Sequence, residues 1–324
     1  MLAGLSWPVI ALLMVAGVLC DLLLGEARRW HPLIGFGNLA NLLERRLNPF
    51  HHSHRAHRAR LPFWRGMLAW LLAVLPLVAL SMAICGALGW VAHVLLLYFC
   101  LGLRSLREHN LPIGVALAHG DLAQARVLTA RIVSRDTAQA SEADLAKAST
   151  ESLLENGNDA VFGTLFWFLI GGGPGALLFR LANTLDAMWG YRTPRFDWFG
   201  CCAARIDDVL NLIPARLTAL SYVVLAAKWH DKRHAWRCWR SQAGSWSSPN
   251  AGPVMASGAG ALGLQLGGAA TYDGVLEQRA TLGAGRSASG SDIARAWCLI
   301  TRTTLLWLGC VSLAATIHFW STHA

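Results

Sequence analysis

The chain has 324 residues, 54% hydrophobic and only 15% charged, with a mean hydropathy of +0.40 and 15 Trp against 4 Tyr. That balance excludes an ordinary soluble domain and a disordered chain; it points to a polytopic membrane protein with Trp available for both bilayer interfaces. The net charge of +9 fits loops facing anionic lipid, and with no recognition-helix, zinc-finger or RNA-platform pattern beside it, nucleic acid is not an expected partner.

Ser6 to Leu24 is nearly continuous apolar sequence, about the 20 residues a bilayer crossing needs. No Lys or Arg precedes it and Leu19 before Cys20 does not suit small-residue cleavage, so it reads as a retained first span near residues 6–24. Residues 27–66 hold eight Arg against one acid, Glu44, which places this loop in the cytoplasm and the N-terminus outside. Its tract His51-His52-Ser53-His54-Arg55-Ala56-His57 is ligand-like, but interleaved Arg residues and the lack of a carboxylate favour a solvated basic loop over a metal site. Residues 68–103 are too long an apolar run for one crossing, and Gly86 and Gly89 offer a break that makes them a hairpin of two spans.

The polar segment 104–159 carries six basic and eight acidic side chains and reads as helical and cytoplasmic. Within it Ser134-Arg135-Asp136-Thr137 joins an Arg, a carboxylate and a hydroxyl; the set suits phosphate and metal handling and, equally, a helix N-cap. It closes on Glu151-Ser-Leu-Leu-Glu155-Asn156-Gly157-Asn158-Asp159. If the part up to Asn156 is helical, Glu151 and Glu155 lie one turn apart on one face, with Asp159 near them as the helix breaks at Gly157. Three carboxylates so placed need a cation, an Arg or a water-filled setting.

The apolar run 161–181 is interrupted by Gly171-Gly172-Gly173-Pro174, making it a broken span or a re-entrant pair of half-helices. Asn183-Thr-Leu-Asp186, Gly190-Tyr191-Arg192 and Arg205-Ile206-Asp207-Asp208 come next, with Asn211 one turn further on. Oxygen ligands grouped this way suit Mg²⁺ holding a phosphate, against the plainer reading of helix-end solvation. A span near 209–227 contains Pro214 and Arg216, and an intramembrane Arg lines a cavity or meets an anion. Lys228 to Arg240, basic and Trp-rich, reads as an interface segment on headgroups.

The turn Ser248 to Pro253 opens the small-residue run Met255 to Gly268. Its Gly258-Ala-Gly260-Ala-Leu-Gly263 matches GxGxxG, yet no strand precedes it and no second strand is expected to carry Glu277, so close helix packing through Gly258, Gly263 and Gly267 is the better account. Residues 271–297 read as a Gly/Ser/Arg-rich loop and 298–320 as the last span. The eight cysteines show no CxxC spacing and read as small buried hydrophobes.

These elements make one all-α domain over residues 1–324, a polytopic integral membrane protein with about 4–6 transmembrane or re-entrant helices and cytoplasmic helical loops. Acids, Asn and Arg gathered at membrane ends suit a phosphorylated substrate held through Mg²⁺. On residues alone phosphoryl or acyl-phosphate chemistry and prenyl transfer both fit.

Taken together, Asp21-x-x-x-Gly25-Glu26 with His31-Pro32, Arg135-Asp136-Thr137, the Glu151 to Asp159 block, Asn183-Thr-Leu-Asp186 with Gly190-Tyr191-Arg192, Ala204-Arg205-x-Asp207-Asp208-x-x-Asn211-x-x-Pro214-Ala-Arg216, and Ser248-Pro-Asn-Ala-Gly252 resemble the CobD/CbiB family, the adenosylcobinamide-phosphate synthases. The resemblance runs from Asp21 to about Gly274 and implies an inner-membrane enzyme of cobalamin biosynthesis with its active site on the cytoplasmic side. The implied reaction is an ATP- and Mg²⁺-dependent amide ligation of adenosylcobyric acid with (R)-1-aminopropan-2-ol or its O-phosphate. The bilayer and other membrane enzymes of the late pathway are the implied partners.

Carried over residue by residue, the resemblance makes Asp159, Asp186, Asp207 and Asp208 the catalytic candidates and Glu155, Asp159, Asp207 and Asp208 the metal ligands. It places Arg135, Arg192 and Arg205 on phosphate, with Asp136, Asn156, Asn183 and Asn250 as further substrate contacts. The chain departs from the family pattern at Ala27, at Gly157-Asn158, at Gly163-Thr164 and at Pro253-Val254, while its acids and arginines match. Two alternatives accompany the ligase reading: a non-catalytic membrane signalling protein like the AmpE relatives, and a Mg²⁺-dependent membrane prenyl-type transferase.

Overall fold

The fold is taken from a computed structural model that describes residues 4–26, 32–50, 60–272 and 274–323; His31 and the His51 to His57 tract lie outside the described residues. The apolar runs fold as helices, the form in which a lipid-embedded backbone satisfies its own polar groups. In chain order they are α1 (Trp7–Leu24), α2 (Pro32–Leu47), α3 (Arg60–Leu88), α4 (Trp90–Cys100), α5 (Leu103–Ala118), α6 (Leu122–Thr129) and α7 (Glu142–Gly157), then a π-helical turn (Asn158–Phe162), α8 (Gly163–Trp189), α9 (Cys201–Leu225), α10 (Trp229–Gln242), α11 (Ala251–Leu262) and α12 (Gly290–His323). Among the described residues six helical stretches are long and apolar enough to cross a membrane. Their outward Leu72, Leu80, Leu212 and Leu305 are exposed in the manner of lipid-facing side chains.

Two units divide the chain. The first comprises Met1–Gly102, Gly163–Asn211 and Ser312–Ala324; the second comprises Leu103–Phe162 and Leu212–Val311.

In the first unit the apolar core joins Phe36 and Ala40 of α2, Trp70 and Val74 of α3, and Leu181, Leu185 and Trp189 of α8, with Trp189 edge-on to Phe199. The long apolar run over residues 68–103 is broken at Gly89, between α3 and α4, with a φ of +59° that glycine adopts without strain. The break in the next apolar run is at Gly172, φ +60°, where two helical halves meet at a kink inside α8. That kink frees backbone donors, and the buried His93 takes one of them: its Nδ1 accepts the Gly173 N–H at 2.9 Å. Asp21, near the end of α1, is buried.

A second latch closes the loop after α8. The Arg195 guanidinium reaches the buried Glu44 carboxylate through Nε at 3.0 Å and Nη2 at 2.7 Å, while Asn48 Nδ2 donates to Glu44 Oε1 at 2.7 Å. Those hydrogen bonds hold the Arg195 pKa above its ordinary value. Arg195→Ala leaves the carboxylate buried without its cation. The expected loss is about 2–3 kcal/mol, less than for a fully buried pair because the guanidinium is partly solvated. Thermal unfolding in detergent measures it, and an unchanged midpoint would assign the pair no structural weight.

In the second unit α7 starts at a capping box: the Asp144 N–H donates to Ser141 Oγ, and the Ser141 N–H to Asp144 Oδ2. α11 is buried along its whole length; Gly258 packs against Leu154, as close helix packing requires, and Gly260 against Ala235, whereas Gly263 has open space where a side chain would lie and Gly267 lies beyond the helix on the following strand. Gly263 ends it in the left-handed conformation.

Beyond α11 the expected loop is replaced by a small sheet. β1 (Leu264–Tyr272) pairs antiparallel with β2 (Val275–Leu282), and β3 (Arg286–Ser287) runs parallel beside β1, giving the order β2-β1-β3. Glu277 therefore does lie on a strand. That strand comes after the glycines instead of preceding them, so the dinucleotide motif still lacks its strand–turn–helix frame. The last helix begins at Gly290, eight residues before the expected span, with the buried Asp292 at its start binding Arg286 and Arg295. Cys298 and Cys310 are exposed, unlike the buried cysteines expected.

Candidate functional site

The acidic block on α7 has Glu151 as its hub. Glu151 is buried and its two oxygens are shared by three donors drawn from distant parts of the second unit. Oε1 accepts the Gly267 N–H of β1 at 2.7 Å and Arg279 Nη2 at 3.3 Å. Oε2 accepts Arg279 Nη1 at 3.1 Å and Arg135 Nη2. One carboxylate thus fixes two guanidiniums, and the trio carries a net positive charge. This is the Arg partner that three crowded carboxylates require.

The two guanidiniums line a cavity of about 620 Å³ together with Glu155, Asn156, Trp246 and Tyr272. Arg279 lies 5.3 Å from the Trp246 ring centre, a cation–π contact that further restricts it. Arg135, Glu155 and Asn156 are the sequence candidates found here. Asn156 Nδ2 donates to Ser152 O at 3.0 Å and to Ser152 Oγ at 3.1 Å, which orients its amide on the cavity wall. Sequence reasoning misses Arg279, Trp246 and the central part of Glu151, because β2 lacks the alternation that marks a strand.

The helix does not break at Gly157. Gly157 packs closely against Tyr222 and Ile300, which a side chain here would press upon at 3.1–3.2 Å, and the chain then winds through the π-helical turn. Such turns insert one residue and recur at functional sites. This one carries Asp159, whose Oδ1 accepts Asn158 Nδ2 at 2.9 Å; Asn158 Oδ1 in turn accepts the Thr218 hydroxyl at 3.0 Å. Asn158, one of the family departures, thus anchors the neighbouring acid. Both Asp159 and Glu151 act electrostatically on Glu155, so the three acids do share one locality.

Asp136 belongs to a different task. Its carboxylate accepts the Gly274 N–H at 2.8 Å and its own N–H donates to Thr271 O at 2.8 Å, tying the Arg135 turn to the β1–β2 connection. Ser141, not Asp136 or Thr137, is the N-cap of α7. Asn250 lies at the start of α11 and accepts Arg216 Nη1, whose guanidinium also reaches Pro249 O at 3.0 Å and Leu212 O at 3.1 Å. These partners are neutral oxygens, so none of them cancels the positive charge of Arg216.

The remaining candidates lie in the first unit. Asp207, on α9, is buried; its Oδ1 accepts Asn183 Nδ2 at 3.4 Å and its Oδ2 accepts Asn211 Nδ2 at 3.2 Å. α9 begins well before the expected span, so Asp207 and Asp208 lie inside the helix and Asn211 falls one turn away, as the i, i+4 spacing requires. Arg192 and Arg205 are the cations whose field reaches Asp208. Asp186 is near Gly190, where a side chain would strike its carboxylate.

Among the described residues no three His, Cys, Asp or Glu side chains form a metal-ligand group. Mg²⁺ does not need one: it is held by one or two carboxylates plus substrate phosphate and water. Asp207, a hard oxygen donor flanked by two amides and adjacent to Asp208, fits that demand, as does Glu155 with Asp159.

The family model described as CobD/Cbib protein matches residues 14–300. The chain belongs to that family. Among its relatives, the Cobalamin biosynthesis protein CobD of Stutzerimonas stutzeri (strain A1501) is 52% identical over 298 residues, 91% of this chain and 94% of that protein. The protein of the same name from Chromobacterium violaceum is 50% identical over 322 residues, 97% and 99% of the two chains. The one from Yersinia enterocolitica is 38% identical over 302 residues, covering 89% and 92%. No solved structure matches. Within the matched CobD/Cbib range lie both clusters, the Arg135–Glu151–Arg279 cavity and the Asn183–Asp207–Asn211 set.

Proposed function

We propose that this CobD/Cbib protein acts in cobalamin biosynthesis as an acid–amine ligase. It joins the propionate carboxyl of adenosylcobyric acid to (R)-1-aminopropan-2-ol or its O-phosphate at the expense of ATP. The observation that carries this reading is the fixed pair Arg135 and Arg279, set beside Glu155 and Asn156 in a cavity of about 620 Å³. Positioned guanidiniums next to carboxylates suit a reaction that handles phosphate and then a proton.

A carboxylate is a poor electrophile. Its oxygen attacks the terminal phosphorus of ATP, ADP leaves, and the resulting acyl phosphate is attacked by the amine nitrogen; the amine gives up a proton and inorganic phosphate departs as the amide forms. Arg135 and Arg279 bind phosphate oxygens, and because Glu151 holds them in advance they need no reorganisation when charge moves. Asp159 takes the amine proton, with Asn158 orienting its carboxylate. Asn156 and Asn250 orient substrate through their amides. Mg²⁺, when bound, would neutralise phosphate charge; Glu155 with Asp159 would hold it in the second unit, and Asp207 with Asp208 offer a separate carboxylate pair in the first. Arg192 and Arg205 add phosphate contacts near Asp208. The reading carries with it an inner-membrane location and a cytoplasmic approach for ATP.

Purified protein in detergent, incubated with adenosylcobyric acid, aminopropanol phosphate, ATP and Mg²⁺, is expected to yield the amide by mass spectrometry. Corrinoid binding without any amide would remove the ligase reading and favour a sensor.

A further inference from the structure

Arg180 has no part in the Glu151 hub or in the hydrogen bonds around Asp207. It is the only charged side chain between Val161 and Leu181, on the helical half of α8 beyond the Gly172 kink. Its Nε is buried and has no hydrogen-bond partner, and among the described residues its guanidinium joins no ion pair. The other partly buried arginines are matched: Arg135 and Arg279 by Glu151, Arg195 by Glu44, Arg104 by Glu108, Arg126 by the Ala140 carbonyl, and Arg216 by three oxygens. Leaving a buried charged donor unmet costs about 1–3 kcal/mol or more, so a chain that keeps such a residue in an apolar run has a use for it.

Its surroundings define that use. Asn183 lies one turn along the same helix, and its amide reaches Asp207, which Asn211 also contacts. The Cys100 thiol, at the end of α4, also lies within the field of Arg180. A guanidinium cannot lose its proton under any ordinary condition, and its planar fork matches the oxygens of a phosphate or a carboxylate.

We propose that Arg180 is an anion-binding residue of the first unit, receiving a phosphate or carboxylate oxygen of a ligand at the edge of the Asn183–Asp207–Asn211 cluster. The anion supplies the partner that the chain does not. The existence of this subsite is independent of the ligase reading; the identity of its ligands rests on that reading.

The test uses full-length protein in detergent and three probes: ATP, inorganic phosphate, and adenosylcobyric acid compared with adenosylcobinamide, which has an amide where the acid has its carboxylate. Arg180→Gln is expected to weaken at least one probe by about 10–100-fold, the loss of one charged hydrogen-bonding contact, and Arg180→Lys to fall between. Loss confined to ATP and phosphate assigns a phosphate. Loss confined to adenosylcobyric acid, with adenosylcobinamide unaffected, assigns the carboxylate. Arg180→Met is expected to melt no lower than the native chain, because it removes a buried donor that has no partner. Unchanged binding of every probe in folded Arg180→Gln overturns the proposal. So does a large fall in melting temperature in both Arg180→Gln and Arg180→Met, which would make Arg180 structural. Absence of amide product alongside Arg180-dependent binding would overturn the ligase reading alone.

Discussion

Glu151→Ala is expected to remove about 3–5 kcal/mol of stability and all activity, read as a large drop in the unfolding temperature of the detergent-solubilised protein. Three costs combine in that number. The guanidiniums of Arg135 and Arg279, only 12% and 17% exposed, would confront each other with no anion between them. The Gly267 N–H would lose its acceptor, about 1–3 kcal/mol where the donor stays buried. The cavity wall would also lose the carboxylate that aims both arginines inward. Glu151→Gln keeps the shape and one acceptor, so it should fall between the native chain and the Ala variant. Adding Arg279→Gln to Glu151→Ala removes one of the two stranded cations and is expected to restore part of the loss, a coupling that a double-mutant cycle measures. If Glu151→Ala melts with the native chain, Glu151 is not the hub and the arginines are held by something else.

The hub also marks where the sequence stops being legible. Glu151, Glu155 and Asp159 are recognisable as one acidic locality because helical spacing alone puts the first two on one face, and the Coulomb repulsion among them calls for a cation. Arg135 lies 16 residues before Glu151 and stands out as a candidate through its neighbours Asp136 and Thr137. Arg279 is 128 residues away, on a strand whose residues Val275 to Leu282 are mostly exposed. Neither clean alternation nor a continuous apolar run announces β2, so the Gly/Ser/Arg-rich composition dominates and Arg279 is hidden with the strand. Spans are more legible than caps and turns. Hydropathy locates the long apolar helices, and the glycines at 89 and 172 supply two breaks because positive φ singles out that residue type. The π-helical turn after Gly157 is not legible: Tyr222 and Ile300, which pack beside that glycine, come from parts of the chain far away in sequence.

Asp207→Asn should lower amide formation by about a thousandfold or more while leaving the fold nearly intact, a different signature from that of Glu151→Ala. The electrostatics of the two acids set them apart. Glu151 is matched by two cations, so its charge is a structural necessity. Asp207 accepts hydrogen bonds from the neutral amides of Asn183 and Asn211. A buried carboxylate in that setting retains the capacity to meet a cation. The Asn variant loses the charge but not the shape, and its new NH₂ can be accommodated because the amide of Asn183 or Asn211 can turn to present its oxygen. If Asp207 holds Mg²⁺ on a phosphate, the concentration of Mg²⁺ needed for half-maximal turnover should rise in the variant, and Asp208→Asn should show a smaller shift in the same direction. If turnover is normal and only the melting temperature falls, Asp207 serves to hold α8 to α9 through its two amides, and the metal-bearing part of the proposed mechanism moves to Glu155 and Asp159. Asp159→Asn separates that outcome further. A proton acceptor lost at Asp159 flattens the rise of rate with pH, whereas a lost metal ligand leaves the pH profile in place and moves the Mg²⁺ dependence.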